Sequence, residues 1–84
     1  GILNKAKDIK KRLKKHQITS NAVIYIGDEV RDIEAAHKCR LKSIAVTWGF
    51  HTADFLESYQ PDYLVNEPWE IGEIVNRLID EQGK

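Results

Sequence analysis

Two short runs of apolar residues, Ala22-Val-Ile-Tyr-Ile-Gly27 and Ser43-Ile-Ala-Val-Thr47, constrain this chain more than any other feature. Neither run alternates apolar with polar side chains. Each therefore reads as a strand buried on both faces, the mark of a parallel sheet covered on both sides. Parallel neighbours need a crossover, and the segment near Arg31–Arg40 supplies one of helical composition, with Ile33, Ala35 and Ala36 as its small apolar side. The alternation extends outwards in both directions. A helix is expected near Asn4–His16, where Ile2, Ala6, Ile9 and Leu13 recur at helical spacing. After the second run, Ala53–Tyr59 is a short helix candidate, Pro61-Asp62 a breaker and Tyr63–Val65 a third strand. Pro68 then opens a last helix with a stripe of Ile71, Ile74, Val75, Leu78 and Ile79, and the polar tail after Asp80 is expected to fray. The expected fold is α/β: a three-layer, Rossmann-like core with a short parallel sheet of about three strands. Right-handed crossovers would lay the strands side by side in sequence order or close to it.

At 84 residues the chain is at most one domain. Three strands fall short of the roughly five or six usual in doubly wound sheets, so residues 1–84 read as a piece of a larger domain. Thirteen basic and thirteen acidic residues cancel, yet residues 1–16 hold seven basic side chains against Asp8 alone. The apolar spacing along that helix puts its lysines on the opposite face, which is the ordinary solvated arrangement. No aromatic residue interleaves them, so a single-strand stacking platform is not expected, and on the solvated-face reading neither nucleic acid nor a membrane is the expected partner. The lone Cys39 has no partner for an internal disulfide, which favours a reducing cytoplasm. No apolar run approaches the roughly 18–20 residues of a membrane span. His16, His37 and His51 do not combine with Cys39 at zinc-ligand spacing.

Candidate chemistry lies where ligands of open α/β sheets bind, beyond the carboxyl end of a strand. The first strand ends at Gly27, taken as the residue that lets the backbone turn, and Asp28-Glu-Val-Arg-Asp32 follows. Asp28 projects from the strand end, and Asp32 lies one helical turn further on, able to reach back. Clustered carboxylates there suit Mg²⁺, which takes one or two of them and completes its shell with water and phosphate oxygens. The plain alternative makes Asp28 a helix N-cap, Glu29 and Asp32 complements of the helix dipole, and Glu29–Arg31 a surface pair.

The stretch Val23-Ile-Tyr-Ile-Gly-Asp-Glu-Val-Arg-Asp-Ile-Glu-Ala-Ala36 resembles the fourth motif of the haloacid dehalogenase (HAD) superfamily, a Gly-Asp-x-x-x-Asp followed by Ile-x-Ala-Ala. Ser43-Ile-Ala-Val-Thr-Trp-Gly-Phe50 is similar to the next strand and loop of its phosphoglycolate-phosphatase-like members, and Gln60-Pro-Asp-Tyr-Leu-Val65 to their last short strand. The resemblance covers most of residues 20–80. It implies Mg²⁺-dependent hydrolysis of a small phosphomonoester through an aspartyl-phosphate. It further implies that Asp28 binds the metal and that Asp32 supports it through its hydration shell. The family's lysine lies about 23 residues before the metal carboxylate, which falls on Lys5, with Lys7, two residues on, as the fallback. A cation there would offset charge on nucleophile and phosphate.

Two departures qualify this likeness. Arg40 stands where the family has a helix-closing glycine, so that turn is expected to differ locally. The nucleophile motif, Asp-x-Asp-x-Thr/Val, occurs nowhere in these residues. The chain therefore resembles the C-terminal part of a HAD core without nucleophile strand or substrate-selecting cap, expected to be inactive alone. The nucleophile strand would pair beside Ala22–Ile26, so that edge is expected to be open, and self-association is expected through it or by exchange of a helix. Trp48 and Phe50 would line the site or lie exposed, and His51 reads as a loop histidine. A non-catalytic α/β interaction module with an acidic loop is the competing reading. A receiver-type signalling domain and a nucleic-acid binder built on the basic helix rank below it.

Overall fold

The computed structural model describes the backbone of residues 2–82 and the side chains of residues 4–82. Helix α1 (Ile2–Lys15) leads through a single 3-10 turn (Ser20–Ala22) into β1 (Ile24–Gly27). Then follow α2 (Val30–Cys39), β2 (Lys42–Val46), α3 (Ala53–Glu57), β3 (Tyr63–Val65) and α4 (Pro68–Gln82). The three strands form one parallel sheet in the order β1-β2-β3, with Ile24 beside Lys42, Gly27 beside Ala45 and Val46 beside Val65. The alternation of apolar strands with helices thus produces the expected three-stranded parallel sheet, with each boundary within a few residues of the sequence reading.

Side-chain alternation along the strands sorts the core into two faces. On one, Ile44, Val46 and Val65 pack with Ile74 and Leu78 of α4. On the other, α2 lies across the sheet: Ile33 packs with Ala45 and with Leu56 of α3, while Ala36, Cys39 and Leu41 pack with Ala6 of α1. β2 is the central strand, and its Ser43, Ile44, Ala45 and Val46 are all buried. Ser43 is the polar member of that row. Asp62 accepts from its backbone N–H at 2.7 Å, and the Asp62 N–H donates to its hydroxyl at 3.1 Å, pinning the starts of β2 and β3 together.

Three details differ from the sequence reading, and a fourth lies outside the described residues. Ile79 is 61% exposed although it belongs to the α4 stripe, because its side of the helix overhangs the outer edge of β1, where no further strand lies among the described residues. The end of α4 stays helical to Gln82, whose side-chain amide donates to the Asn21 carbonyl at 2.7 Å. Arg40 adopts the left-handed conformation that glycine usually takes at a helix end (φ 58°), and α2 closes normally, with the Leu41 N–H donating to the Ala36 carbonyl at 2.9 Å. Ile2, placed on the apolar stripe of α1, has a side chain outside the described residues.

Candidate active site at the carboxyl ends of the strands

Gly27 ends β1 and places the next residues over the amino-terminal end of α2. Its φ is not positive, so a left-handed turn is not what calls for glycine. The reason is room: a Cβ at Gly27 would overlap the side chain of Asp32. With that space free, the Asp32 carboxylate folds back over the strand end. Lys5 Nζ donates to its Oδ1 at 2.5 Å, and the Glu29 N–H donates to its Oδ2 at 3.2 Å. The Tyr25 hydroxyl stands 3.5 Å from the same Oδ1, and the Lys5 ammonium lies 5.8 Å from the Tyr25 ring centroid.

These contacts join α1, β1 and α2 at one point. Asp32 is buried, with a side chain 12% exposed, whereas that of Lys5 is 37% exposed. The hydrogen bond to Asp32 raises the Lys5 pKa above 10.5; burial acts the other way, and the Tyr25 contact and the Asp32 charge reinforce the rise. Lys5 is thereby held as a cation at neutral pH, one side on Asp32 and the other open to solvent. Lys7 is exposed and makes no ion pair among the described residues, so of the two candidate lysines the geometry brings only Lys5 to the acidic loop.

Asp28 is placed differently. The N-cap of α2 is Glu29, so the alternative that made Asp28 a helix cap does not describe this junction. Asp28 is half-buried, and among the described residues its carboxylate takes part in no hydrogen bond or ion pair. Its neighbour is Gly49 of the loop after β2, close enough that a Cβ at Gly49 would overlap the Asp28 side chain. Glu29 pairs with Arg31 at 2.7 Å on the surface, as the plain reading of that pair has it.

A divalent cation fits this donor set. Mg²⁺ binds through one or two carboxylates and keeps water and phosphate oxygens for its remaining positions. Asp28 offers free lone pairs at the strand end, and Asp32, one turn away, is anchored by a cation. No group of three or more His, Cys, Asp or Glu side chains among the described residues forms an all-protein cage.

The adjoining loop is aromatic. Trp48 is half exposed and Phe50 90% exposed. His51 packs edge-to-face against Phe50 and tilted against Phe55, with centroids 5.3 and 5.0 Å away, and Phe55 continues to Tyr59 at 5.5 Å. His51 is thus a packed loop residue. Sequence reasoning missed Tyr25 and Gly49. Tyr25 carried a faint signal, one hydroxyl inside an apolar run, whereas nothing near Gly49 in sequence marks its contact with Asp28.

Fold and site together define a parallel α/β protein with paired acidic and cationic groups at the carboxyl ends of its strands. Residues 7–71 match the HAD-hydrolase-like family, and the chain belongs to it. The phosphoglycolate phosphatase of Synechococcus elongatus is 36% identical over 78 residues, covering 93% of this chain and 37% of that enzyme. The N-acetylmuramic acid 6-phosphate phosphatase of Pseudomonas aeruginosa is 32% identical over 63 residues, covering 74% of this chain and 28% of that enzyme. Among solved structures, a haloacid dehalogenase-like family hydrolase from Streptococcus pneumoniae superposes with a TM-score of 0.77 at 34% identity, covering 83% of this chain and 33% of that one. The chain thus spans between about a quarter and two fifths of the length of these relatives.

Proposed function

We propose that this chain carries the metal-binding and cationic arms of a phosphatase site, which in the intact parent hydrolyses a small phosphomonoester of the phosphoglycolate type through an aspartyl-phosphate. The observation that carries the reading is the Lys5–Asp32 pair set beside an Asp28 carboxylate that has no hydrogen bond or ion pair among the described residues. Bound at Asp28, Mg²⁺ would neutralise charge on the phosphoryl oxygens. Lys5 supplies a fixed positive charge whose open side faces away from Asp32, suited to a phosphate oxygen. Asp32 orients that ammonium and, one turn from Asp28, is suited to accept hydrogen bonds from metal-bound water. In this reading none of these side chains serves as the nucleophile, and no Asp-x-Asp-x-Thr/Val motif lies in these 84 residues. Alone, the chain is therefore expected to release no phosphate.

The test is to read the coding DNA upstream of Gly1 and assay the encoded protein on 2-phosphoglycolate with Mg²⁺. An apolar strand ending in the nucleophile motif, with phosphate release lost in Asp28→Asn and Lys5→Met, is the expected result. Full activity in Asp28→Asn would overturn the role given to that residue. If the chain binds no divalent cation, the interaction-module reading takes its place.

The proposal extends to self-association and compartment. The outer edge of β1 pairs with no strand among the described residues, and Ile24–Gly27 carries no charged side chain to deter a partner. Ile26 of this strand is 46% exposed, and a groove of about 190 Å³ is bordered by Ile24, Val75 and Ile79. These features support self-association through the edge of residues 22–26. A clean monomer in sedimentation at concentrations on the order of tens of micromolar would count against it. Cys39 is buried, its thiol donates to the Ala6 carbonyl at 3.4 Å, and burial pushes its pKa up. A lone thiol kept protonated and packed suits the reducing cytoplasm.

A further inference from the structure

Gly49 lies in the exposed loop between β2 and α3, where neither packing density nor backbone conformation asks for glycine: it is solvent-exposed and its φ is not positive. Yet the three atoms nearest to a Cβ built on Gly49 all belong to Asp28, namely its Cβ, Cγ and Oδ2, and all three would be overlapped. Crowding at the Asp28 Cβ cannot be relieved by swinging the carboxylate alone, because the Cβ is fixed to the backbone of the strand end. Gly72 shows the contrast, since a Cβ there meets nothing within 4 Å. Asp28 in turn has no hydrogen-bond partner among the described residues to set its rotamer. The contact with the Gly49 backbone is therefore what confines its side chain on that side.

We propose that Gly49 is a positioning residue for Asp28: the backbone of the Trp48–Phe50 loop is a backstop that sets the Asp28 rotamer and hence the affinity of the site for a divalent cation. The inference rests on the reading of Asp28 as the metal carboxylate. It adds a residue from a second strand end to the site, so the site spans β1 and β2. It also gives glycine at 49 a long-range reason, parallel to the one at Gly27, where the side chain accommodated is Asp32. Because Trp48 and Phe50 flank the backstop and are largely exposed, a ligand covering those rings would act on Asp28 through one residue of backbone.

The test uses Mn²⁺ as the probe, with its free fraction read by electron paramagnetic resonance, on the whole chain and on Asp28→Asn, Gly49→Ala and Gly72→Ala. Asp28→Asn is expected to abolish binding and Gly72→Ala to leave it unchanged. Gly49→Ala is expected to weaken it roughly 10- to 100-fold, the usual effect of disturbing a residue that orients a ligand. Loss of binding in Asp28→Asn with wild-type binding in Gly49→Ala overturns the inference and leaves the reading of Asp28 standing. Wild-type binding in Asp28→Asn overturns both. Should Gly49→Ala fail to fold, Asp28→Gly/Gly49→Ala decides. Recovery of the folded state supports the contact, because the overlapped side chain has gone; a double variant that stays unfolded overturns it.

Discussion

Asp28 and Asp32 are the same residue type one helical turn apart at the same strand-to-helix junction, and the fold treats them in opposite ways. Asp32 is buried and holds three contacts drawn from α1, β1 and the backbone of Glu29. Asp28 is half-buried, unbonded among the described residues, and confined by a glycine backbone. A carboxylate that has exchanged its water for a lysine ammonium and an amide N–H contributes to stability, and removing it leaves those donors without a partner. A carboxylate that keeps its lone pairs contributes little to folding and remains available to a ligand. A Gly-Asp-x-x-x-Asp pattern names both residues without saying which is which; burial and partners do.

Asp32→Ala gives the largest effect expected from that contrast. It deletes a charge-assisted hydrogen bond to Lys5 and the bond that helps start α2, together about 2–3 kcal/mol on the magnitudes of such bonds and caps. Lys5 is more than a third exposed and regains water, which keeps the figure near its lower end. Urea unfolding measures it. A loss under about 0.5 kcal/mol, the range of ordinary surface substitutions, would erase the distinction between the two carboxylates.

The pH dependence sharpens the same contrast from the lysine side. Asp32 raises the pKa of Lys5, so folding favours the protonated form. Stability from the pair is fully present below the unfolded value of 10.5 and is lost as pH rises through the higher folded value. The difference in unfolding midpoint between the wild type and Lys5→Met should therefore shrink above that pH. A difference that stays constant into the alkaline range would mean that the ion pair contributes nothing and the lysine stem does the packing.

How much of this was readable in advance depends on the range of the cause. The sheet was legible because apolar runs without alternation and an intervening helix leave few arrangements for three strands. That Lys5 meets the acidic loop was legible through the spacing the family resemblance implies, and the packed face of Ile33, Ala35 and Ala36 through periodicity. What escaped was set by residues far apart in sequence. Gly27 reads locally as a turn residue, yet its space is needed by Asp32. The stripe on α4 predicts a buried Ile79, but the edge of β1 ends beneath it. Arg40 marks the opposite case, a local rule overridden: three packed neighbours, Ala36, Cys39 and Leu41, close the helix around a left-handed arginine. Arg40→Gly is therefore expected to stabilise the chain by about 0.5–1 kcal/mol, the left-handed penalty less the added freedom of glycine when unfolded. Unchanged stability would mean that the Arg40 side chain makes up the difference elsewhere.

Asp28→Asn gives the smallest effect and tests the comparison most sharply. The substitution preserves shape, removes a charge that takes no bond among the described residues, and leaves the Gly49 contact in place. Its effect on unfolding in metal-free buffer should lie within about 0.5 kcal/mol, the range for substitutions away from packed or bonded features. With Mg²⁺ present the two proteins should separate, because a ligand that binds only the folded state stabilises it in proportion to its occupancy. Wild type then gains stability with added metal while Asp28→Asn does not. A loss in metal-free buffer as large as that of Asp32→Ala would show that Asp28 is held by the fold after all, and the division of labour between the two carboxylates would fail. Equal gains with Mg²⁺ would instead place the cation elsewhere and leave Asp28 as a half-buried carboxylate with no ligand of its own.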